Sequence, residues 1–82
     1  MYKVGDKVIV VYEDWLRFHK EYRNKVFEII AFEGFGMNFL GTETTTKYRV
    51  RCGDFSVSAT ISKSFNPFKK LSTLLSEYLE KL

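Results

Sequence analysis

The chain has 82 residues, of which 45% are hydrophobic and 17% aromatic, and it carries one cysteine and a formal net charge of +3. This length fits one small domain with a single core, and the apolar content is too high for an intrinsically disordered chain. A single cysteine excludes an intramolecular disulfide and any zinc site built from several thiolates.

Two features of the sequence favour an intracellular protein. Residues 1–6 lack the apolar run of a signal peptide, and no apolar stretch approaches the length of a membrane span. We therefore expect a cytoplasmic location without membrane contact, and a reducing compartment suits the unpaired Cys52.

The first predicted elements are a strand and a short helix. The β-branched run at residues 8–12 predicts the strand, and Asp14 can cap a helix near residues 14–23. One face of that helix is aromatic, with Trp15, Phe18, His19 and Tyr22 at helical spacing. This aromatic face either packs over the open end of a barrel or forms an exposed platform for bases or a protein partner.

A buried strand and a long loop are predicted next. Residues 26–33 are nearly continuous in apolar side chains, which is typical of a central strand. Residues 34–46 hold three glycines, one asparagine and four threonines, which predicts an exposed loop. Four apolar side chains interrupt this loop: Phe35, Met37, Phe39 and Leu40. They either fold under the loop as a lid on the core or stand exposed as a partner-binding tip.

Residues 47–61 alternate polar and apolar side chains on both sides of Gly53 and Asp54, which predicts a β-hairpin with a two-residue turn. Counting outward from the turn sets the register of the two strands. The core-facing pairs are then Cys52 with Phe55, Val50 with Val57, and Tyr48 with Ala59. The opposite face carries Lys47, Arg49 and Arg51 beside Ser56, Ser58 and Thr60.

Positive charge is concentrated in this hairpin and the segment after it. Residues 47–70 hold six Lys or Arg against one Asp. The predicted binding residues are Lys47, Arg49, Arg51, Ser56, Ser58, Lys63, Lys69 and Lys70, because cations and hydroxyls can donate hydrogen bonds to phosphate oxygens. The partner predicted by this face is RNA or DNA, or an acidic protein surface. A solvated face that deters edge-to-edge aggregation has the same composition.

A C-terminal helix is predicted over residues 67–82, because Asn66 and Pro67 form a helix-start signal. The chain would then consist of a β domain at residues 1–66 and a helix packed on it. The helix carries an apolar stripe of Leu71, Leu74, Leu75, Tyr78, Leu79 and Leu82. The stripe either docks on the domain's own sheet or pairs with a second copy through Leu71, Leu75, Tyr78 and Leu79.

The sequence offers no catalytic, metal or cofactor pattern. His19 is the only histidine, and the dispersed acidic residues form no local acid–base pair. The glycines at residues 34–41 lack the Lys-Ser/Thr ending of a phosphate-binding loop. Cys52 faces the predicted core, away from the environment that activates a nucleophile. We therefore predict a protein that acts by binding, not an enzyme, and no cofactor or metal.

Three segments, residues 4–10, 24–30 and 47–51, resemble the first three strands of small SH3-like barrels. The opening Val-Gly-Asp-Lys-Val is similar to short bacteriophage and prophage proteins, and KOW-type domains share its Gly-Asp-x-Val. The resemblance implies a mainly β fold, a small bent antiparallel sheet or barrel, here with a helix inserted in the first long loop and a C-terminal amphipathic helix. It also implies a small accessory protein that acts by binding, against a host enzyme or defence system in the host cytoplasm.

Overall fold

A five-stranded antiparallel sheet forms the body of the protein in a computed structural model, which describes residues 2–81. The strands are β1 (Lys7–Val10), β2 (Phe27–Met37), β3 (Thr44–Cys52), β4 (Phe55–Ser62) and β5 (Phe68–Lys70). Their order across the sheet is β4-β3-β2-β1-β5, and within the described residues no pairing joins β4 to β5. The sheet is therefore open. The predicted class, mainly β with a short inserted helix and a C-terminal helix, is confirmed.

The segment between β1 and β2 forms two short helical pieces. An α-helix, α1 (Glu13–Phe18), is followed by a 3₁₀ helix at Lys20–Tyr22. The backbone breaks at His19 (φ −133°, ψ 56°), so one continuous helix over residues 14–23 does not form. Asp14 lies in the first turn of α1, where its charge suits the helix dipole, and the cap position belongs to Tyr12 without a side-chain hydrogen bond.

The core is formed by side chains that alternate inward from the sheet, together with one residue of α1. Its buried members are Val8, Val10, Leu16, Phe27, Ile29, Tyr48, Val50 and Phe68. These are β-branched, aromatic or leucine side chains, whose removal from water is the main contribution to stability in a domain of this size.

The aromatic face of the inserted segment packs over one end of this core. The Tyr22 and Phe55 rings stack with centroids 4.5 Å apart, and the Trp15 and His19 rings stack at 4.2 Å. The packing interpretation is therefore confirmed for Trp15, His19 and Tyr22. Phe18, the last residue of α1, stays exposed.

The predicted long loop at residues 34–46 is mostly strand. β2 continues to Met37 and β3 begins at Thr44, so only residues 38–43 form the connection. The threonines of this segment favour extended backbone, and they pair with the glycine-rich end of β2. Register shifts between Ile29 and Ala31 and between Phe32 and Gly34 accommodate extra residues in β2. The loop prediction is wrong for residues 34–37 and 44–46, because Gly34 and Gly36, which suggested turns, lie within β2.

Asn66 and Pro67 precede a strand instead of beginning a helix. Asn66 Oδ1 accepts a hydrogen bond from the backbone N–H of Phe68 (3.0 Å), which is an Asx turn. The next residues pair with β1, Phe68 opposite Val10 and Lys70 opposite Val8. The predicted helix start at Pro67 is therefore wrong, and residues 68–70 belong to the sheet.

The C-terminal helix, α2 (Leu71–Glu80), contacts β1 and β5. Leu71 and Leu74 are half-buried, whereas Leu75, Tyr78 and Leu79 are 57% to 66% exposed. Leu82, the last member of the predicted stripe, lies outside the described residues. Within one copy, most of the apolar stripe is uncovered. Among residues 2–81, no helix has the length and apolarity needed to cross a bilayer.

Pairing of this stripe with a second copy stays a prediction, and two single variants test it. We expect Leu75→Glu and Leu79→Glu each to convert a concentration-dependent dimer into a folded monomer, because an added charge is tolerated in water but not inside an apolar interface. Sedimentation velocity over a concentration series measures the change, with Ser76→Glu, also an exposed position of α2, as control. A wild-type chain that is monomeric at every concentration would contradict the prediction.

Candidate functional site

The hairpin of β3 and β4 forms with the register predicted from the sequence. Its six predicted pairs are all present: Cys52–Phe55, Arg51–Ser56, Val50–Val57, Arg49–Ser58, Tyr48–Ala59 and Lys47–Thr60. Gly53 occupies the first turn position with φ of 60°, a conformation that side-chain-bearing residues rarely adopt. The turn therefore places Lys47, Arg49 and Arg51 on the face opposite the buried Tyr48 and Val50, as the sequence predicts.

Arg49, at the centre of the predicted basic face, is bound to an acidic residue of β2. Its Nε lies 3.1 Å from Glu33 Oε2, and its Nη2 donates to Ser58 Oγ at 3.1 Å. Ser58 Oγ in turn donates to Glu33 Oε1. These hydrogen bonds, first from Ser58 and then from Arg49, hold the pKa of the Glu33 carboxyl below its ordinary value of 4.5. Arg49 is thus part of an ion-pair network with Glu33 and Ser58 and is not a free cation.

The two lysines of β5 are also paired and lie at the opposite edge of the sheet. Lys69 Nζ lies 2.7 Å from Glu77 Oε2 of α2. Lys70 Nζ lies 3.7 Å from Asp6 Oδ2 and 5.6 Å from the centroid of the Tyr2 ring. Because β2 and β1 separate β5 from β3 in the sheet, Lys69 and Lys70 do not lie on the hairpin that carries Lys47, Arg49 and Arg51.

Three of the predicted cations form no ion pair with any residue between 2 and 81: Lys47, Arg51 and Lys63. Arg51 lies opposite Glu28 in the β2–β3 ladder. A hydrogen bond from Lys7 and, to a smaller extent, the charge of Arg51 hold the pKa of Glu28 below its ordinary value. The face therefore keeps a weak positive character, with acidic residues of β2 beside its cations.

A second surface is the part of the β2–β3 hairpin at residues 32–46, which we call the arm. Five large apolar side chains on it are 47% to 101% exposed: Phe32, Phe35, Met37, Phe39 and Leu40. For Phe35, Met37, Phe39 and Leu40 the sequence left open whether they form a lid on the core or an exposed tip. The lid interpretation is wrong, because these side chains are 59% to 101% exposed. Phe32 and Phe35 contact each other edge to face, with centroids 5.1 Å apart.

The connection at the tip of the arm is ordered by one asparagine side chain. Asn38 Oδ1 accepts hydrogen bonds from the backbone N–H groups of Thr42 (2.8 Å) and Glu43 (3.1 Å). The Asn38 N–H donates to the Glu43 carbonyl at 3.0 Å. Phe39 and Leu40 are therefore held on a defined turn and not on an irregular loop.

The apolar side chains of the arm and the cations lie on opposite faces of the same hairpin. Phe35 is paired with Thr46, which lies on the Tyr48 side of β3, whereas Lys47 and Arg49 point to the other side. A ligand that lies flat on one face cannot contact the other.

The sequence did not reveal Glu33 as part of the basic face, because its position depends on the register shift between Phe32 and Gly34.

Within residues 2–81, no group of three or more His, Cys, Asp and Glu side chains is placed to hold a metal ion. Cys52 is half-buried at the end of β3. His19 is half-buried against Trp15.

The Glu33 network predicts a specific pH dependence of stability. The pKa of Glu33 is lower in the folded state than its ordinary value of 4.5. Its contribution to the free energy of unfolding is therefore fully present above pH 4.5, and it is lost as the pH falls through the folded-state pKa. We expect wild type to be more stable than Glu33→Gln at pH 7, and this advantage to disappear in strong acid. Urea unfolding of both proteins between pH 7 and pH 3 measures it, and Glu21→Gln controls for removal of an exposed carboxylate elsewhere. A stability difference independent of pH would contradict the assignment.

Comparison with known proteins supplies no additional information about these surfaces. The chain matches no protein-family model, no curated protein and no solved structure. The function is therefore argued from the residues themselves.

Proposed function

We propose that this chain is a protein-binding domain and that the arm is its contact surface. The observation that carries the proposal is the row of exposed side chains from Phe32 to Leu40 on a paired, ordered hairpin. Contiguous exposed apolar patches on small soluble domains commonly mark interaction sites. Aromatic side chains and methionine are also enriched at the centres of protein interfaces.

The arm is suited to binding because it is already ordered without a partner. β2 and β3 remain paired from Phe35–Thr46 to Met37–Thr44, and Asn38 holds the connection. Binding therefore requires little ordering of the backbone, which lowers the entropy cost of association. Met37 adds a flexible side chain that adapts to the shape of the partner.

The chemistry of the arm favours an apolar partner surface over the acidic one suggested by the basic hairpin face. Residues 32–46 contain only two charged residues, both acidic, besides Lys47 at their boundary. Glu33 is already bound to Arg49. Under the resemblance to phage accessory proteins, the partner is a host enzyme or defence protein, bound and blocked without catalysis.

Removing two aromatic side chains of the arm tests this proposal. We expect Phe35→Ser combined with Phe39→Ser to abolish partner capture while keeping the thermal stability of wild type, because both side chains are exposed. The matched control is Phe18→Ser, which removes an exposed phenylalanine from α1. A photo-crosslinking residue at position 39, compared with one at position 18, identifies the partner by mass spectrometry. Equal capture by the arm variant and the control variant would contradict the proposal.

Nucleic-acid binding is the second candidate, and the absence of ion pairs at Lys47 and Arg51 within residues 2–81 favours it. We expect Lys47→Ala combined with Arg51→Ala to make the slope of log affinity against log salt shallower by about two, the loss of about two phosphate contacts. Arg49 contributes less than the sequence suggests, because Glu33 neutralises it.

Titration of fluorescent RNA and single-stranded DNA at several salt concentrations measures this slope. Lys20→Ala combined with Lys25→Ala is the control, because it removes two exposed cations outside the hairpin. An unchanged slope in the hairpin variant, or no binding by wild type at low salt, would exclude this candidate.

A further inference from the structure

The edge of β4 lacks the usual protection against pairing with another strand. β4 has eight residues, Phe55–Ser62, none of them charged, proline or glycine. It pairs with β3 over its whole length without a register shift and, within residues 2–81, with no other strand. Natural edge strands commonly carry charges, prolines or bulges that prevent strand addition. An edge without these features can accept a further strand.

The register identifies which backbone groups of β4 are free. A two-residue turn makes Cys52–Phe55 a hydrogen-bonded pair, and such pairs alternate with non-bonded ones along an antiparallel ladder. Ser56, Ser58 and Thr60 therefore direct their N–H and C=O groups away from β3. These three residues offer a regular set of donors and acceptors at the sheet edge.

An apolar cavity of about 170 Å³ opens beside the same stretch of β4. Its walls include Val57, Ala59 and Thr60 of β4, with Trp15, Phe27 and Phe68 across from them. The cavity is smaller than the roughly 300–1,000 Å³ of most small-molecule sites. It is close to the roughly 150 Å³ of an engineered apolar cavity that accepts one benzene molecule. Its size suits one large apolar side chain.

We propose that an extended segment of a partner protein adds to the edge of β4 and places one aromatic or large aliphatic side chain in this cavity. The main chain of the segment pairs with Ser56, Ser58 and Thr60, and its anchor side chain lies between β4 and Trp15. This is strand addition, in which backbone pairing supplies affinity and a side-chain pocket supplies specificity. The site is separate from the arm and does not depend on the function proposed for it.

Charges at the two ends of β4 indicate which charged residues an antiparallel segment would carry. Asp54 precedes the strand in the turn, and Lys63 follows it, where it forms no ion pair within residues 2–81. An antiparallel segment runs from the Lys63 end to the Asp54 end. It is complementary when it has an acidic residue near its N-terminus and a basic residue near its C-terminus, with uncharged residues between.

A synthetic peptide of this design tests the proposal on the full chain. The probe is the blocked peptide Asp-Thr-Val-Thr-Phe-Thr-Val-Thr-Lys, with the same peptide carrying Ala in place of Phe as control. Trp15 is the only tryptophan and lines the cavity, so its fluorescence reports occupation directly. We expect a saturable change in Trp15 emission, with binding about tenfold or more weaker for the Ala peptide, because it lacks the apolar side chain that would be buried in the cavity.

A pair of variants at one position tests the backbone contact. Thr60→Pro removes an outward N–H without breaking the ladder to β3, and Thr60→Val keeps it. We expect the proline variant to bind the Phe peptide about tenfold more weakly, through loss of one hydrogen bond and obstruction by the ring, and the valine variant to bind as wild type. The arm variant Phe35→Ser with Phe39→Ser should also bind as wild type, which separates this site from the proposed function.

Three results would overturn the proposal. The first is no change in Trp15 emission at peptide concentrations up to about 1 mM, the limit of weak binding. The second is equal affinity of the wild-type protein for the Phe and Ala peptides. This comparison uses no protein variant, so it does not depend on whether a variant folds. The third is dimerisation of wild type that Thr60→Pro abolishes, because the edge would then be occupied by a second copy.

Discussion

The pairing of β3 with strands on both of its sides determines the placement of every surface discussed here. Tyr48 and Val50 are buried by β2 and β4 together, and this burial fixes which residues of β3 point outward. A one-residue slip would exchange the two faces, removing the core side chains and burying three cations. The register is therefore held by the energy of the core as well as by the turn at Gly53. The basic face is a consequence of that packing.

Local alternation was enough to predict this hairpin, because each strand carries its own pattern and the turn joins them directly. The features that sequence reasoning missed all depend on a second segment. β2 extends to Met37 because β3 is available to pair with it, and residues 68–70 form a strand because β1 has an open side. Glu33 reaches Arg49 only after a register shift that no short pattern encodes. Contacts between distant segments can thus override local propensity.

Charge composition and exposed charge differ in this chain. Residues 47–70 have a strong excess of cations, yet Arg49, Lys69 and Lys70 are each bound to an acidic residue from outside that segment. For apolar residues, more are exposed than the composition suggested. Side chains expected to fill a small core are instead exposed on the arm and on α2. In a chain of this size the interior is small, so part of the apolar surface stays exposed.

The contact of Tyr2 and β1 with residues 66–70 has a consequence for folding during synthesis. Tyr2 donates a hydrogen bond to Asn66, 64 residues later, and β5 pairs with β1. During synthesis β1 therefore lacks one of its neighbours until residues 68–70 have left the ribosome. Pairing between segments so far apart in sequence slows folding relative to a domain built from local contacts. Until then the growing chain exposes a β-branched strand edge, the kind of surface on which nascent chains aggregate and which chaperones protect.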